Sequence, residues 1–359
     1  MKSIEIIIRK FLLRLLIFIK RNERHAEVID TSKNLNILLI RLNRIGDALV
    51  TTPLLYELKR KLDCRLTVLA SRYNYFIFDN PLLTDEIIIF KKKVKSISKL
   101  IKLINEKKYD VIIDLHDDVS TTVSYLVAFS TCKHKIGLQK GTNKLYTNLV
   151  VKLDPARHHI IERVMEFTKP FNISYNPVKI NIIYTPKPES TQIVDAYINK
   201  HFLKTDFLLG INISAGSESR FWGVKKYRDI ISSLNNYGIN IILLCLERDL
   251  KFAWEIAGRE IPIFYRNNFD EFASMISRLN FLITPDTSIV HVASAFRIPL
   301  FGLYVKYNTN DVVWYPYKSD YEVIITNEPT LQNIDTNLVN EKLIPFFEKY
   351  FYEYKSKAT

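Results

Sequence analysis

Three short stretches of the chain hold side chains suited to group transfer, and each follows an apolar run. The first is Arg41-Leu42-Asn43-Arg44-Ile45-Gly46-Asp47. Gly46 permits an unusual backbone angle and close ligand approach. Asp47, just past a strand's end, suits a general base acting on a sugar hydroxyl. The plainer alternative is that Asp47 caps the next helix. The second stretch is Ser214-Ala215-Gly216-Ser217-Glu218-Ser219-Arg220-Phe221-Trp222. A small-residue loop with available N–H groups suits a phosphate, and Arg220 adds a fixed fork of donors. The alternative is a surface turn with Trp222 plugged into the core. The third is Thr284-Pro285-Asp286-Thr287-Ser288-Ile289-Val290-His291. Its cap residues, first-turn N–H groups and helix dipole make an anion site. His291 lies four residues after Thr287, on the same helix face; a capped helix with a satisfied histidine is the alternative. His116, Asp117 and Asp118 could bind a cation, but they suit a strand end and helix cap better.

Several site types are absent from the sequence. It has no GxxxxGK[ST], no GxGxxG after a strand, no HExxH and no Cys/His cluster at zinc spacing. With only 9 glycines in 359 residues, those at strand–helix turns are informative. Cys64, Cys132 and Cys245 are widely separated and odd in number, which reads as packed thiols in a reducing compartment rather than a disulfide framework.

The elements that must position the three turns alternate. Apolar runs of strand length occupy 36–41, 65–70, 86–90 and 110–115, with helical spacing over 46–62 (beginning near Thr51 because of Pro53), 92–107 and 119–129. Residues 138–157 read as loop and short strand, and 158–167 as a helix. Residues 171–205, rich in Asn, Pro, Lys and Ser, read as a linker region. The alternation restarts with strands at 207–212, 239–246, 281–284 and 298–305. Helices are expected at 224–234, 247–257, 269–279 and 287–296, and a final aromatic helix from 337 to 354. Strands alternating with helices imply parallel sheets covered on both faces, so the fold class is α/β. Two such halves would form a cleft between their strand carboxyl ends, where open α/β sheets bind ligands.

The net charge of +13, with 47% hydrophobic and 25% charged residues, excludes wholesale disorder and points to an acidic partner. The charge is concentrated. Residues 1–24 hold seven Lys or Arg against two Glu, and residues 91–108 hold eight Lys against one Glu. In 1–24 the cations Arg9, Lys10 and Arg14 interrupt the apolar run and no small-residue cleavage site follows, so neither an export signal nor a spanning helix fits. On a helical wheel the basic residues fall within roughly 140°, and most Ile, Leu and Phe occupy the rest, Ile6, Leu13 and Ile17 excepted. Residues 1–30 therefore read as a basic amphipathic helix at a membrane interface, with Arg9, Lys10 and Arg14 as membrane contacts. Packing on the protein body or on a second copy is the alternative. No nucleic-acid motif is found, and no nucleic-acid partner is expected.

Together and in this order, the segments ILLIRLNRIGDALVTTPLLYELK, SAGSESRFWG and PDTSIVHVASAFRIPLFGLY, with WYPY at 314–317, resemble glycosyltransferase family 9, the ADP-heptose:lipopolysaccharide heptosyltransferase family. The resemblance runs from about Asn36 to Tyr317. It implies a GT-B fold: an acceptor-binding Rossmann-like domain at 36–185, a nucleotide-sugar-binding one at 206–335, and a helix at 336–359 that returns to the first. It further implies inverting transfer without a metal from a nucleotide-sugar, ADP-linked, to a phosphorylated lipid-linked or lipopolysaccharide-type glycan. The enzyme would lie at the cytoplasmic face of an anionic inner membrane. The implied roles are catalytic for Asp47 and Arg220; donor-binding for Ser214, Gly216, Glu247, Asp286, Thr287, Ser288 and His291; and acceptor-binding for Arg44, Gly46 and His116. The family usually has Lys where Arg220 stands and Gly where Ser288 stands, so the donor is less fixed than the reaction type. The rival readings are another GT-B transferase, a sugar-nucleotide epimerase, and a non-catalytic binding protein on the same scaffold.

Overall fold

A computed structural model describes residues 2–20, 28–91, 94–202, 207–309 and 312–358; of residues 2–10, 94–96 and 358 it describes the backbone alone. The chain divides into two units, residues 1–180 and 181–359.

The first unit begins with helix α1 (Lys2–Ile19), followed by β1 (Leu35–Arg41), α2 (Ile45–Leu49), α3 (Thr52–Lys61), β2 (Cys64–Ser71) and β3 (Glu86–Phe90). It continues with α4 (Val94–Glu106), β4 (Val111–Asp114), α5 (Thr121–Phe129), β5 (His134–Leu138), β6 (Asn148–Val150) and α6 (Ile160–Met165). The strands form one parallel sheet in the order β3-β2-β1-β4-β5-β6. Ile37, Leu38, Leu39 and Ile40 are all fully buried, as a strand covered on both faces requires. On one face, Leu38, Ile40, Leu69 and Ile112 pack with Leu100 and Ile104 of α4, Val123, Leu126 and Val127 of α5, and Leu16 of α1.

The second unit comprises α7 (Pro188–His201), β7 (Leu208–Asn212), α8 (Val224–Asn235), β8 (Asn240–Cys245), α9 (Leu250–Ala257), β9 (Ile263–Tyr265), α10 (Phe269–Ile276), β10 (Phe281–Pro285), α11 (Ile289–Phe296), β11 (Leu300–Val305), β12 (Tyr321–Thr326) and α12 (Thr336–Ala358). Its parallel sheet has the order β12-β11-β10-β7-β8-β9. Counted from each unit's first strand, both sheets have the strand order of a dinucleotide-binding fold. Each has its topological switch point beside that first strand, between β1 and β4 and between β7 and β10.

One expectation changes. The span 171–205 is not simply a linker. The division falls at 180, and α7 packs against α10. Arg278 grips Asp195 with two hydrogen bonds, and Tyr184 donates to Asp270. Residues 203–206 lie outside the described ones. The final helix contributes Leu343, Phe347 and Phe351 of α12 to the core of the second unit. The helix expected to begin near Thr51 does so, as α3 from Thr52; the short α2 precedes it, with Thr51 Oγ1 donating to the Asp47 carbonyl at 2.8 Å at the break.

Candidate functional site

Both switch points carry residues singled out in the sequence. In the first unit, Arg41 ends β1 with its guanidinium buried among the strand ends, 1% exposed. It donates to the Leu115 carbonyl and, at 3.1 Å, to the Asp47 carbonyl. Its Nη2 lies 3.2 Å from Asp47 Oδ1, while the Arg44 N–H donates to Asp47 Oδ2 at 3.3 Å. Asp47 thus caps α2 as the plainer reading expects, and it also presents a part-exposed carboxylate anchored by a buried cation. Each carboxylate oxygen keeps a second lone pair for a ligand. Arg44 itself is exposed. Gly46 departs from expectation: it lies in the first turn of α2 and is not among the positive-φ glycines, which are Gly223, Gly238 and Gly258 among the described residues. Its smallness, not an unusual angle, is what it offers there.

Behind this loop lies a buried network that the sequence reading passed over. Asp114, the last residue of β4, accepts from Tyr146 OH at 2.6 Å, Lys140 Nζ at 2.7 Å and the His116 N–H at 3.0 Å, and its Oδ1 lies 2.7 Å from His116 Nδ1. Burial would raise the carboxyl pKa. The hydrogen bond from His116, with the Lys140 ammonium, outweighs it and holds Asp114 well below the usual carboxylate range. Burial, and then the Asp114 charge, push the Tyr146 phenol far up. The His116 Nε2 accepts the Leu42 N–H at 3.2 Å, which assigns the proton to Nδ1. Both ring nitrogens are therefore spent on the protein. His116 holds the Asp47 loop against β4, and the cap of α5 is Ser120. Asp117 pairs with Arg163 at 2.6 Å. Asn74 completes the loop's support, donating to the Arg41 and Asn43 carbonyls at 3.0 and 3.2 Å. The clues in the sequence were His116 by its type and an Asp ending a run of apolar residues.

In the second unit, the loop after β7 is anchored at its far end by Trp222, fully buried, whose Nε1–H donates to the Ile334 carbonyl at 3.1 Å. The plug and the charged residue coexist: Arg220, two residues earlier, is part-exposed and pairs with Asp286, Nη2 to Oδ2 at 3.1 Å and Nη1 to the carbonyl at 3.2 Å. These contacts bring together residues 66 apart, across the β7–β10 switch point. Thr287 Oγ1 accepts the Ile289 N–H at 3.1 Å, fixing the start of α11. The Thr287 and Ser288 N–H groups have no acceptor among the described residues. His291 is buried, its ring 5.9 Å from that of Trp314. A Cβ built on Gly216 would meet nothing within 4 Å, so the loop is open there.

Two donor-binding assignments separate. Ser214 is buried, and its hydroxyl donates to Asp249 and accepts the Leu246 N–H at 2.8 Å. It ties the loops after β7 and β8 together. Glu247 is exposed, with Asn267 Nδ2 donating to its Oε2 at 2.6 Å. It therefore presents a carboxylate where Asp249 is occupied. Among the described residues no group of three or more His, Cys, Asp or Glu is placed to hold a metal ion.

Two Rossmann-like units, each with charged turns at its switch point, define an α/β protein of the doubly wound class. The profile of glycosyltransferase family 9 (heptosyltransferase) matches residues 97–344. Lipopolysaccharide heptosyltransferase 3 of Escherichia coli K12 is 25% identical over 324 residues, 84% of this chain and 92% of that protein. The crystal structure of a family 9 glycosyltransferase from Veillonella parvula superposes with a TM-score of 0.76 at 19% identity, over 91% of this chain and 100% of that one. E. coli heptosyltransferase WaaC with ADP gives 0.68 at 16% identity, over 88% and 100%. The chain belongs to glycosyltransferase family 9 and is a glycosyltransferase of GT-B fold.

Proposed function

We propose that the protein transfers a heptose-like sugar from an ADP-linked donor to a lipopolysaccharide-core or related glycan acceptor, with inversion and without a catalytic metal. The observation that carries this reading is the Asp47 carboxylate, anchored by Arg41 and the Arg44 N–H beyond the end of β1. Asp47 takes the proton from an acceptor hydroxyl as that oxygen bonds to the anomeric carbon. The bond from that carbon to the diphosphate oxygen breaks, and the electron pair leaves with ADP. Arg220 and the N–H groups of Thr287 and Ser288 stabilise the charge that develops on the diphosphate. Glu247 accepts from the ribose hydroxyls. Arg44 lies on the same loop as the base and steadies a phosphorylated acceptor. The relatives named lipopolysaccharide heptosyltransferase, and the relative solved with ADP, support the donor and acceptor classes.

The test is incubation of purified protein with ADP-heptose, with and without a core oligosaccharide, following ADP release and the anomeric configuration of the product. Acceptor-dependent release with inversion is the expected result. Sugar conversion without acceptor would instead make the protein an epimerase. Binding without turnover would make it a non-catalytic member of the family.

A further inference from the structure

Helix α1 lies outside the span matched by the family profile. One stripe of it is docked: Leu16 is 6% exposed in the first unit's core, with Leu13 and Ile17 packed beside it against α5. Leu13 and Ile17 are two of the apolar residues that interrupt the basic arc on the helical wheel, and their packing accounts for them. The opposite side is uncovered. Phe11 and Phe18 are 65% and 73% exposed, and Leu12, Leu15 and Ile19 continue the same face. Five large apolar side chains on one exposed helix face demand an occupant. No helix among the described residues is long and apolar enough to cross a membrane, so this one can only lie along a surface.

We propose that this face of α1 is a docking surface for an anionic phospholipid bilayer, into whose interface Phe11, Leu12, Leu15, Phe18 and Ile19 insert while the body of the first unit stays in water. Charge chooses the occupant. Arg14 and Lys20, on the same helix, are exposed; Lys20 Nζ sits 4.9 Å over the Phe129 ring at the end of α5. Helix α4 packs on α5 as well and exposes Lys99 and Lys102, the latter 3.7 Å from Glu106. A second copy would bring the same cations to this surface and repel it. Anionic headgroups complement them, at about a fivefold gain in affinity per basic residue near the surface. The side chains of Arg9 and Lys10 lie outside the described ones, and the proposal does not depend on them.

The test is co-sedimentation of the full-length protein with vesicles of phosphatidylcholine alone and of phosphatidylcholine mixed with phosphatidylglycerol. The expected result is binding to the mixed vesicles that weakens with salt. The double variant F11S/F18S should bind on the order of a hundredfold more weakly, about tenfold for each ring withdrawn. R14E/K20E, confined to exposed positions, should lose at least tenfold at low salt and serves should the serine variant fail to fold. Equal binding by wild type and folded variants would overturn the proposal, as would equal binding to both kinds of vesicle. A wild-type dimer that F11S/F18S converts to monomer would assign the face to a second copy. The readout needs no donor or acceptor, so it stands apart from the transfer reaction.

Discussion

Replacing Asp114 by Asn removes the anion of a buried cluster and leaves the Lys140 ammonium, whose side chain is only 5% exposed, facing carbonyls alone. Removing one partner of a buried ion pair costs about 3–5 kcal/mol. At a urea slope of about 2 kcal/mol per molar, the first unit's unfolding midpoint falls by about 2 M. K140M should cost a comparable amount, because it leaves Asp114 buried with fewer donors. The double variant should cost less than the sum of the two, with a coupling of at least about 2 kcal/mol. The assay must read the right unit. The three tryptophans, Trp222, Trp254 and Trp314, all lie in the second, so their fluorescence reports that unit while circular dichroism reports both. The expected signature is an early dichroism phase with an unmoved fluorescence midpoint. Coupling within 0.5 kcal/mol of zero, or a fluorescence midpoint that shifts as far as the dichroism, would refute the view of Asp114 and Lys140 as a local, buried, interdependent pair; that threshold is about the error of additivity.

Other outcomes follow from the same contacts. Because the Asp114 carboxyl is depressed in the folded chain, its contribution to stability is complete above the unfolded value of about 3.9 and is lost as pH falls through the folded one, so D114N should flatten the acid limb of a stability-against-pH curve. D47N should lower kcat by about two to four orders of magnitude, while calorimetry with ADP finds donor-nucleotide binding unchanged. Burial raises the Cys64 thiol to about 11 and those of Cys132 and Cys245 to about 12. Iodoacetamide at pH 8 should therefore label the native protein at least about a hundredfold more slowly than the urea-unfolded one, as mass spectrometry would count. A Cβ at Gly137 would sit 2.5 Å from the Tyr146 ring, so G137A should displace Tyr146 and destabilise the first unit by about 1–3 kcal/mol in the same dichroism assay.

Much of the architecture was legible because buried parallel strands read as unbroken apolar runs. The runs at 36–41 and 207–212 and the spacing over 224–234 sit within a residue or two of β1, β7 and α8. What escaped had weak patterning. Of α7, only Ser190 and Val194 are buried, so the helix shows no apolar stripe in a segment rich in Asn, Pro and Lys. Strand β12, at a sheet edge, buries only Ile324. The turns bearing Asp47, Arg220 and Asp286 could be found because polar and charged residues follow directly on apolar runs, with a glycine in the first two. The Asp114–His116–Lys140–Tyr146 network could not, because its members come from three separate segments and meet only when β4 and β5 pair. His116 was visible by type, but its role depends on the Leu42 N–H that its ring faces, which no spacing encodes.

The aromatic face of α12 bears on how the protein is made. Phe207, at the threshold of the second unit's first strand, has its ring 5.6 Å from Phe347 and 5.8 Å from Phe351, and Phe281 of β10 lies 5.7 Å from Phe347. The first unit uses only residues up to 180, so its core can close on the ribosome as soon as they emerge. The second cannot. Between synthesis of Phe207 and of Phe351 the ribosome works for on the order of ten seconds. Throughout that interval Phe207, and from its own synthesis Phe281, wait without their cover. The nascent second unit is thus the stretch of this chain with most need of a chaperone.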